Sequence, residues 1–272
     1  MSDAPSPVRR GWSISPVAAA RDVETEWANY RRTWRASLMS AFLAPLLYLG
    51  AIGYGLGSLV EAGESTLGAD VSYVGFLAPG LIAATALQVG AQEGIFGTMG
   101  RIRWQRTWHV AVSTPVMPGD LAVGHLAWCA VRGAIAAAIY ALVTVGLGVL
   151  DPLPALAAIA PGVLCAIALA APLQAWMVVA ENEHSMNAAQ RFLVVPMFLF
   201  SGVFFPISQL PGWMQPIAQL TPLWHGVELA RRIAIGSSTS SWPAIAHVAF
   251  LVALTAVGVV VGVRNFTRRL AR

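Results

Sequence analysis

The chain has 272 residues, 57% of them hydrophobic and only 11% charged, where a soluble domain carries about 25%. That composition excludes an ordinary soluble enzyme or nucleic-acid-binding domain and identifies an integral membrane protein. The net charge of +4 rests on seventeen arginines with no lysine. A P-loop needs a lysine to reach the β- and γ-phosphates, so any ATP-driven work must come from a motor on another polypeptide.

At the N-terminus an arginine pair, Arg9 and Arg10, precedes the small-residue run "VAAA". The stretch between them is too short and too polar for the apolar core of an export signal. Residues 1–17 are expected to form a disordered cytoplasmic tail. Residues 18–37 read as an amphipathic helix: Val23, Trp27, Tyr30 and Trp34 stack at i, i+4, i+7, i+11, while Arg21, Glu24, Arg31, Arg32 and Arg35 fall elsewhere around it. Such a helix lies in the membrane interface or packs on a soluble partner, and the apolar run that follows at once favours the interface.

Six membrane spans follow from apolar length, at roughly twenty residues each: 38–60, 73–96, 121–150, 156–180, 188–205 and 242–263. Arginine orients them. Six arginines in the tail and first helix, then Arg101, Arg103 and Arg106, then Arg191, and finally Arg264, Arg268, Arg269 and Arg272 all fall on one side of a six-span chain. Glu61, Glu64, Asp70 and Asp151 fall on the other, with only Arg231 and Arg232 against the rule. Both termini are therefore expected in the cytoplasm, and the two exceptions are expected to snorkel to the outer surface.

Two connections carry more than linkage. Between spans two and three, Trp104, Trp108 and Val112 repeat every fourth residue among Arg101, Arg103 and Arg106. "STPVMPGD" then breaks the helix, and Asp120 is placed to cap span three. This element, about 100–115, is either a simple surface helix or a docking element for a cytoplasmic partner. After span five, Pro206, Pro211, Pro216 and Pro222 exclude one continuous helix. Irregular backbone at membrane depth survives only inside protein or beside a water-filled cavity. A re-entrant pair of short helices over about 206–233 is expected, with Pro211 and Pro222 in first turns and the return helix near 222–233.

Other side chains are weighed singly. Arg132 sits inside span three, where an ionisable residue is a functional candidate; it either pairs with Glu93 or a carbonyl, or serves the substrate path. Glu93 lies late in span two among Gly90, Gly94 and Gly97, which favour helix packing. His225 and Glu228 are i, i+3 on the return helix and are expected to hydrogen-bond within the re-entrant element rather than to form a catalytic dyad. Glu181, Glu183 and His184 form "ENEH" without a second cluster, so no metal site is expected. Cys129 and Cys165 read as small buried hydrophobes.

Three stretches in this order and spacing resemble one family: "FLAPGLIA" at 76–83, "RWQRTWHVAVSTPVMPGDLAVG" at 103–124 and "FLFSGVFFPISQLPGWMQPIAQLTPLWHGVELAR" at 198–231. They are similar to ABC-2 type exporter permeases, in particular those of lipo-oligosaccharide (nodulation factor) and daunorubicin-type drug exporters. The resemblance runs from about Val23 to the C-terminus. It implies an all-α membrane domain of six spans (38–272), led by an interface helix carrying Trp27, Tyr30 and Trp34. It implies a coupling element at Arg101, Arg103, Trp104, Arg106 and Trp108 against a separate nucleotide-binding ATPase subunit. It also implies a re-entrant gate at Pro206, Pro211, Trp213, Pro222, His225 and Glu228, and a second permease subunit as homodimer or heterodimer. The location implied is the bacterial plasma membrane, in contact with its lipids. ATP and Mg would sit on the partner, with no cofactor, catalytic residue or nucleic acid on this chain. His109 and Val110 follow Trp108 where the family pattern has an acidic residue.

The expected function is therefore that of a permease subunit moving an amphipathic drug, lipid or glycolipid outward. Two alternatives are weaker. An intramembrane enzyme needs a nucleophile–base pair or metal set at membrane depth, and neither G-x-S-x-G nor H-E-x-x-H occurs. A secondary transporter would carry midplane breaks in both halves, and the break here is single and peripheral.

Overall fold

The computed structural model describes residues 14–51 and 72–270, apart from the side chains at 33, 34, 36–46 and 48. The expected tail over 1–13, the second half of span one, Glu61, Glu64, Asp70 and Arg272 lie outside the described residues, as does the side chain of Trp34.

Among the described residues the chain is all-helical. Helix α1 (Pro16–Tyr48) runs without a break through the point where the interface helix and first span were expected to part. Helix α2 spans Tyr73–Trp104, starting as a regular α-helix on Ser72, whose side chain accepts the Gly75 N–H, and ending in π-helical turns at Glu93–Gly97 and Gly100–Trp104. A short α3 (Thr107–Ala111) leads to α4 (Pro118–Gly146), and α5 (Pro152–Met177) follows. Helix α6 covers 184–200, α7 is Gln215–Gln219, α8 is Pro222–Ile235 and α9 is Ala244–Leu270.

Among the described residues, four helices, α2, α4, α5 and α9, are long and apolar enough to cross a membrane. They match spans two, three, four and six. The fifth expected span differs: α6 has only 17 residues, carries a π-turn at Gln190–Val194 and stops at Ser201. Gly202, in the left-handed region at φ 80°, turns the chain there.

Helix α2 is the hub, packed by α4, α5 and α8, with α1 along α4 and α9 along α5. Small residues permit these approaches. An added Cβ at Gly90 would lie 2.9 Å from Ala166, and one at Gly258 would lie 2.6 Å from the Ala171 Cβ and 2.7 Å from the Pro172 nitrogen. Gly258→Ala should therefore force α9 off α5 and cost roughly 1–3 kcal/mol by overpacking. A thermal-unfolding midpoint in detergent equal to that of the wild type would disprove this contact.

The proline-rich segment is short pieces rather than one helix. Ile207–Gln209 is a 3-10 turn after Pro206, and Pro211 starts a turn instead of a helix, its carbonyl accepting Met214 N–H at 2.8 Å. Pro216 and Pro222 take the first-turn positions of α7 and α8. Thr221 caps α8 and Gly236 ends it at φ 66°. The Pro222 carbonyl accepts Cys165 S–H at 3.2 Å, so α8 begins against the middle of α5.

Arg231 does not snorkel. It is fully buried, its Nε donating to Phe76 O at 3.3 Å and its Nη2 to Val203 O at 2.9 Å, with the guanidinium 3.7 Å from the Phe76 ring centroid. Fixed carbonyls and an aromatic face replace water around a weakly hydrated cation. Arg232 instead reaches the carbonyls of Ser240 and Trp242.

Candidate functional site

The first residues of α1, the Arg106 turn and the end of α9 meet at one end of the bundle. Asp120 ties the first of them to the start of α4: Oδ2 accepts the Met117 N–H at 3.0 Å, capping α4, and Oδ1 accepts the Ser15 N–H at 2.6 Å. The turn itself hinges on Arg106, a non-glycine residue in the left-handed region (φ 53°, ψ 22°). That conformation costs about 1–2 kcal/mol and aims α3 away from the axis of α2.

Beneath the turn lies a chain of polar contacts. Arg101 is only 8% exposed. Its guanidinium pairs with Glu26 of α1, with Nε donating to Oε1 at 2.6 Å, and its Nη1 meets His125 Nδ1 of α4 at 2.7 Å. A guanidinium only donates, so Nδ1 accepts and the imidazole proton sits on Nε2, which donates to Glu93 O at 3.1 Å. Glu93 Oε1 in turn accepts Arg132 Nε at 3.0 Å, and the Arg132 guanidinium lies 4.5 Å from the centroid of Tyr30. One network thus ties α1, α2 and α4 together.

Trp108 is the apolar wedge of the same junction. It is buried, with Phe266 of α9 at 5.0 Å and His125 at 5.3 Å between ring centroids, and the Arg101 guanidinium 5.6 Å from its own. Its neighbours on α3 face out: His109 is exposed and Val110 is 69% exposed. Trp104 is also exposed, its indole N–H donating to Glu183 Oε1 at 2.8 Å. Arg103 Nη2 donates to Ala180 O at 2.9 Å, and Arg106 is exposed.

The residues read from sequence thus divide. Arg101 and Trp108 point into the bundle, whereas Trp104 and Arg106 face out and Arg103 is half-buried. Arg132 and Glu93 are brought together. Tyr30 is tied to Trp27 and to Trp128 of α4, both at 5.9 Å, while Trp27 remains half-exposed. At the far end, His225 Nδ1 lies 2.8 Å from His247 Nδ1. Glu228 accepts the Ser238 hydroxyl at 2.7 Å and the Thr239 and Ser240 N–H groups at 2.9 and 3.1 Å, holding the loop after α8. Trp213 is exposed beside this region and Pro206 is buried within it.

Sequence reasoning missed Asp22, Glu26, His125 and Phe266. The signal existed: Ala19, Asp22, Glu26 and Tyr30 form a second stripe at helical spacing, and that stripe, not the aromatic one alone, meets α4. Gly124 of α4 makes room for it, since a Cβ there would lie 2.9 Å from both Ala19 O and Asp22 Cβ.

Asp22 lies in α1 well before the apolar run. Burial pushes its carboxyl up from 3.8 to about 6, against the pull of Arg101 and with the push of Glu26. The Trp108 indole N–H also pulls it down, from beyond normal hydrogen-bond geometry. A raised carboxylate pKa means that the folded chain holds the proton more tightly than the unfolded one. The penalty is absent below pH 3.8, grows between 3.8 and about 6, and is complete above. At about 1.4 kcal/mol per pH unit it amounts to some 2–3 kcal/mol at neutral pH. Asp22→Asn should raise the unfolding midpoint at pH 7 and flatten its dependence between pH 4 and 6; an unchanged pH profile would show that Asp22 does not titrate there.

The ABC-2 type transporter family matches residues 23–235, which is most of the chain. The chain belongs to the ABC-2 type transporter family. Among its relatives, Nodulation protein J of Rhizobium meliloti (strain 1021) is 32% identical over 215 residues, covering 78% of this chain and 80% of that protein. Nodulation protein J of Rhizobium leguminosarum bv. viciae is 30% identical over 250 residues, covering 90% and 94%. Nodulation protein J of Bradyrhizobium diazoefficiens is 29% identical over 266 residues, covering 96% and 99%. With four helices fit to cross a bilayer, this chain is a multi-pass membrane permease component of the ABC-2 type.

Proposed function

We propose that this ABC-2 permease is the membrane half of an ATP-driven exporter, powered by a separate ATPase subunit that binds ATP and Mg, and that α3 is where the motor's motion enters. The observation that carries the reading is the two-faced geometry of α3: Val110 and His109 outward, Trp108 wedged against Phe266 of α9 and His125 of α4. A push on the outer face is passed to α4 and α9 through packed rings, and to α1 through Arg101 and Glu26. The absence of lysine supports a motor on another chain.

In this reading six spans leave both termini in the cytoplasm of a bacterial plasma-membrane protein, supported by the arginine distribution. The pieces from Ile207 to Ile235 form a re-entrant gate at the outer side, supported by the seat of Pro222 against Cys165. Two permease subunits, alike or different, pair across the path, with membrane lipids around them. The substrate is an amphipathic drug, lipid or glycolipid, because the helices offer an aliphatic lateral route.

The test is co-expression with the neighbouring ATPase and purification through a tag on this chain. Val110→Glu should abolish co-purification and vanadate-sensitive hydrolysis. Trp108→Ala should keep the partner bound yet lose transport. If no ATPase associates with the folded wild-type chain, the reading fails.

A further inference from the structure

Beside the Arg106 turn, Ile102, Arg103, Arg106, His109 and Arg269 line an open cleft of about 360 Å³. Three arginines and no acidic residue are among these lining residues. Arg103 is only partly committed, its Nη2 held by Ala180 O at 2.9 Å. Arg106 is held in the left-handed region at the rim, and such strain persists where the surroundings impose it, often at ligand clamps. Uncompensated guanidinium groups converging on one space are suited to an oxyanion, above all the paired oxygens of a phosphate.

The position of the cleft selects the source of that phosphate. Arg103 and Arg269 each sit next to the last residue of a helix fit to cross the membrane, α2 with 32 residues and α9 with 27. At 1.5 Å per residue these are roughly 48 and 40 Å long, against about 30 Å of hydrocarbon and 40–45 Å with headgroups. Centred on the bilayer, α9 ends within the headgroup layer and α2 at its aqueous edge. Trp104, 57% exposed, lies next to Arg103 at the level where aromatic side chains meet that layer. Ile102 gives the cleft an apolar wall for the glycerol and first methylenes.

We propose that this cleft binds the headgroup phosphate of an anionic phospholipid. The proposal requires the chain to cross the membrane, and because His109 of α3 and Arg106 also line the cleft, the lipid is read on the chain without the ATPase, so that its failure is distinct from failure of ATPase docking.

The full chain, in nanodiscs of phosphatidylcholine with phosphatidylglycerol, would be returned to detergent and its retained lipid read by native mass spectrometry. The wild type should retain phosphatidylglycerol in preference to phosphatidylcholine. Arg106→Gln with Arg269→Gln should lower that retention about tenfold or more, whereas Arg268→Gln, exposed one residue away but outside the cleft, should not. Arg269→Gln alone serves if the double variant fails to fold, with a smaller loss in the same direction. Equal retention by wild type and cleft variants would overturn the proposal, as would equal loss from Arg268→Gln, which would mean diffuse surface charge. Displacement of the lipid by millimolar inorganic phosphate would show a free-anion site instead. Unchanged lipid retention with lost ATPase co-purification would reassign the cleft to an acidic protein surface.

Discussion

Arg101→Gln should lower the stability of the purified chain by about 3 kcal/mol, because it leaves Glu26 as a nearly buried carboxylate without its partner. The side chains of both are almost withdrawn from water, so the loss exceeds the fraction of a kcal/mol expected of a surface pair. His125 would also lose the donor to Nδ1, freeing its ring to change tautomer and release Glu93 O. A double-mutant cycle with Glu26→Gln tests the pairing: the double variant should be much less damaged than the sum of the singles. If the two losses simply add, the contact contributes nothing. With the ATPase present, Arg101→Gln should also leave hydrolysis largely intact while transport falls, because α1 is released from the turn.

Arg231→Ala should cost a similar amount, about 3 kcal/mol, but at the opposite end of the bundle. It removes hydrogen bonds to Phe76 O and Val203 O and the stacking on Phe76. It also strips Glu228 of a cation 3.8 Å away. Together those contacts hold α8 to the start of α2 and to the chain after α6. Limited proteolysis should show faster cleavage between 201 and 221 in the variant. Arg231→Lys should rescue little, since one ammonium on a flexible stem cannot reproduce a planar fork shared between two fixed carbonyls. Full rescue by lysine would show that only charge is needed there.

Hydropathy and arginine spacing made the four long helices legible, because a bilayer demands long apolar runs and Tyr73–Trp104, Pro118–Gly146, Pro152–Met177 and Ala244–Leu270 are such runs. The punctuation was legible too: Asp120 caps α4, Pro222 opens α8, and the prolines from 206 to 222 forbid a single helix. Less of the site could be read. Trp108 and Arg101 stood out as an aromatic and a cation in a polar connection, which made them look like an outward docking surface. Their partners Glu26, His125 and Phe266 are distant in sequence, and nothing local marks which side of a short helix is inward. The same holds for Arg231, which charge rules place at the outer surface and packing places inside.

The amino-acid sequence by itself determined the class of molecule, the place of its four long apolar helices and the breaks set by its prolines. These follow from composition and from backbone rules that act within a few residues. Only the tertiary structure decided which charges are buried and with whom, because that depends on three surfaces meeting. Glu26, Arg101 and His125 are 75 and 24 residues apart along the chain, and their pairing exists only once α1, α2 and α4 have packed.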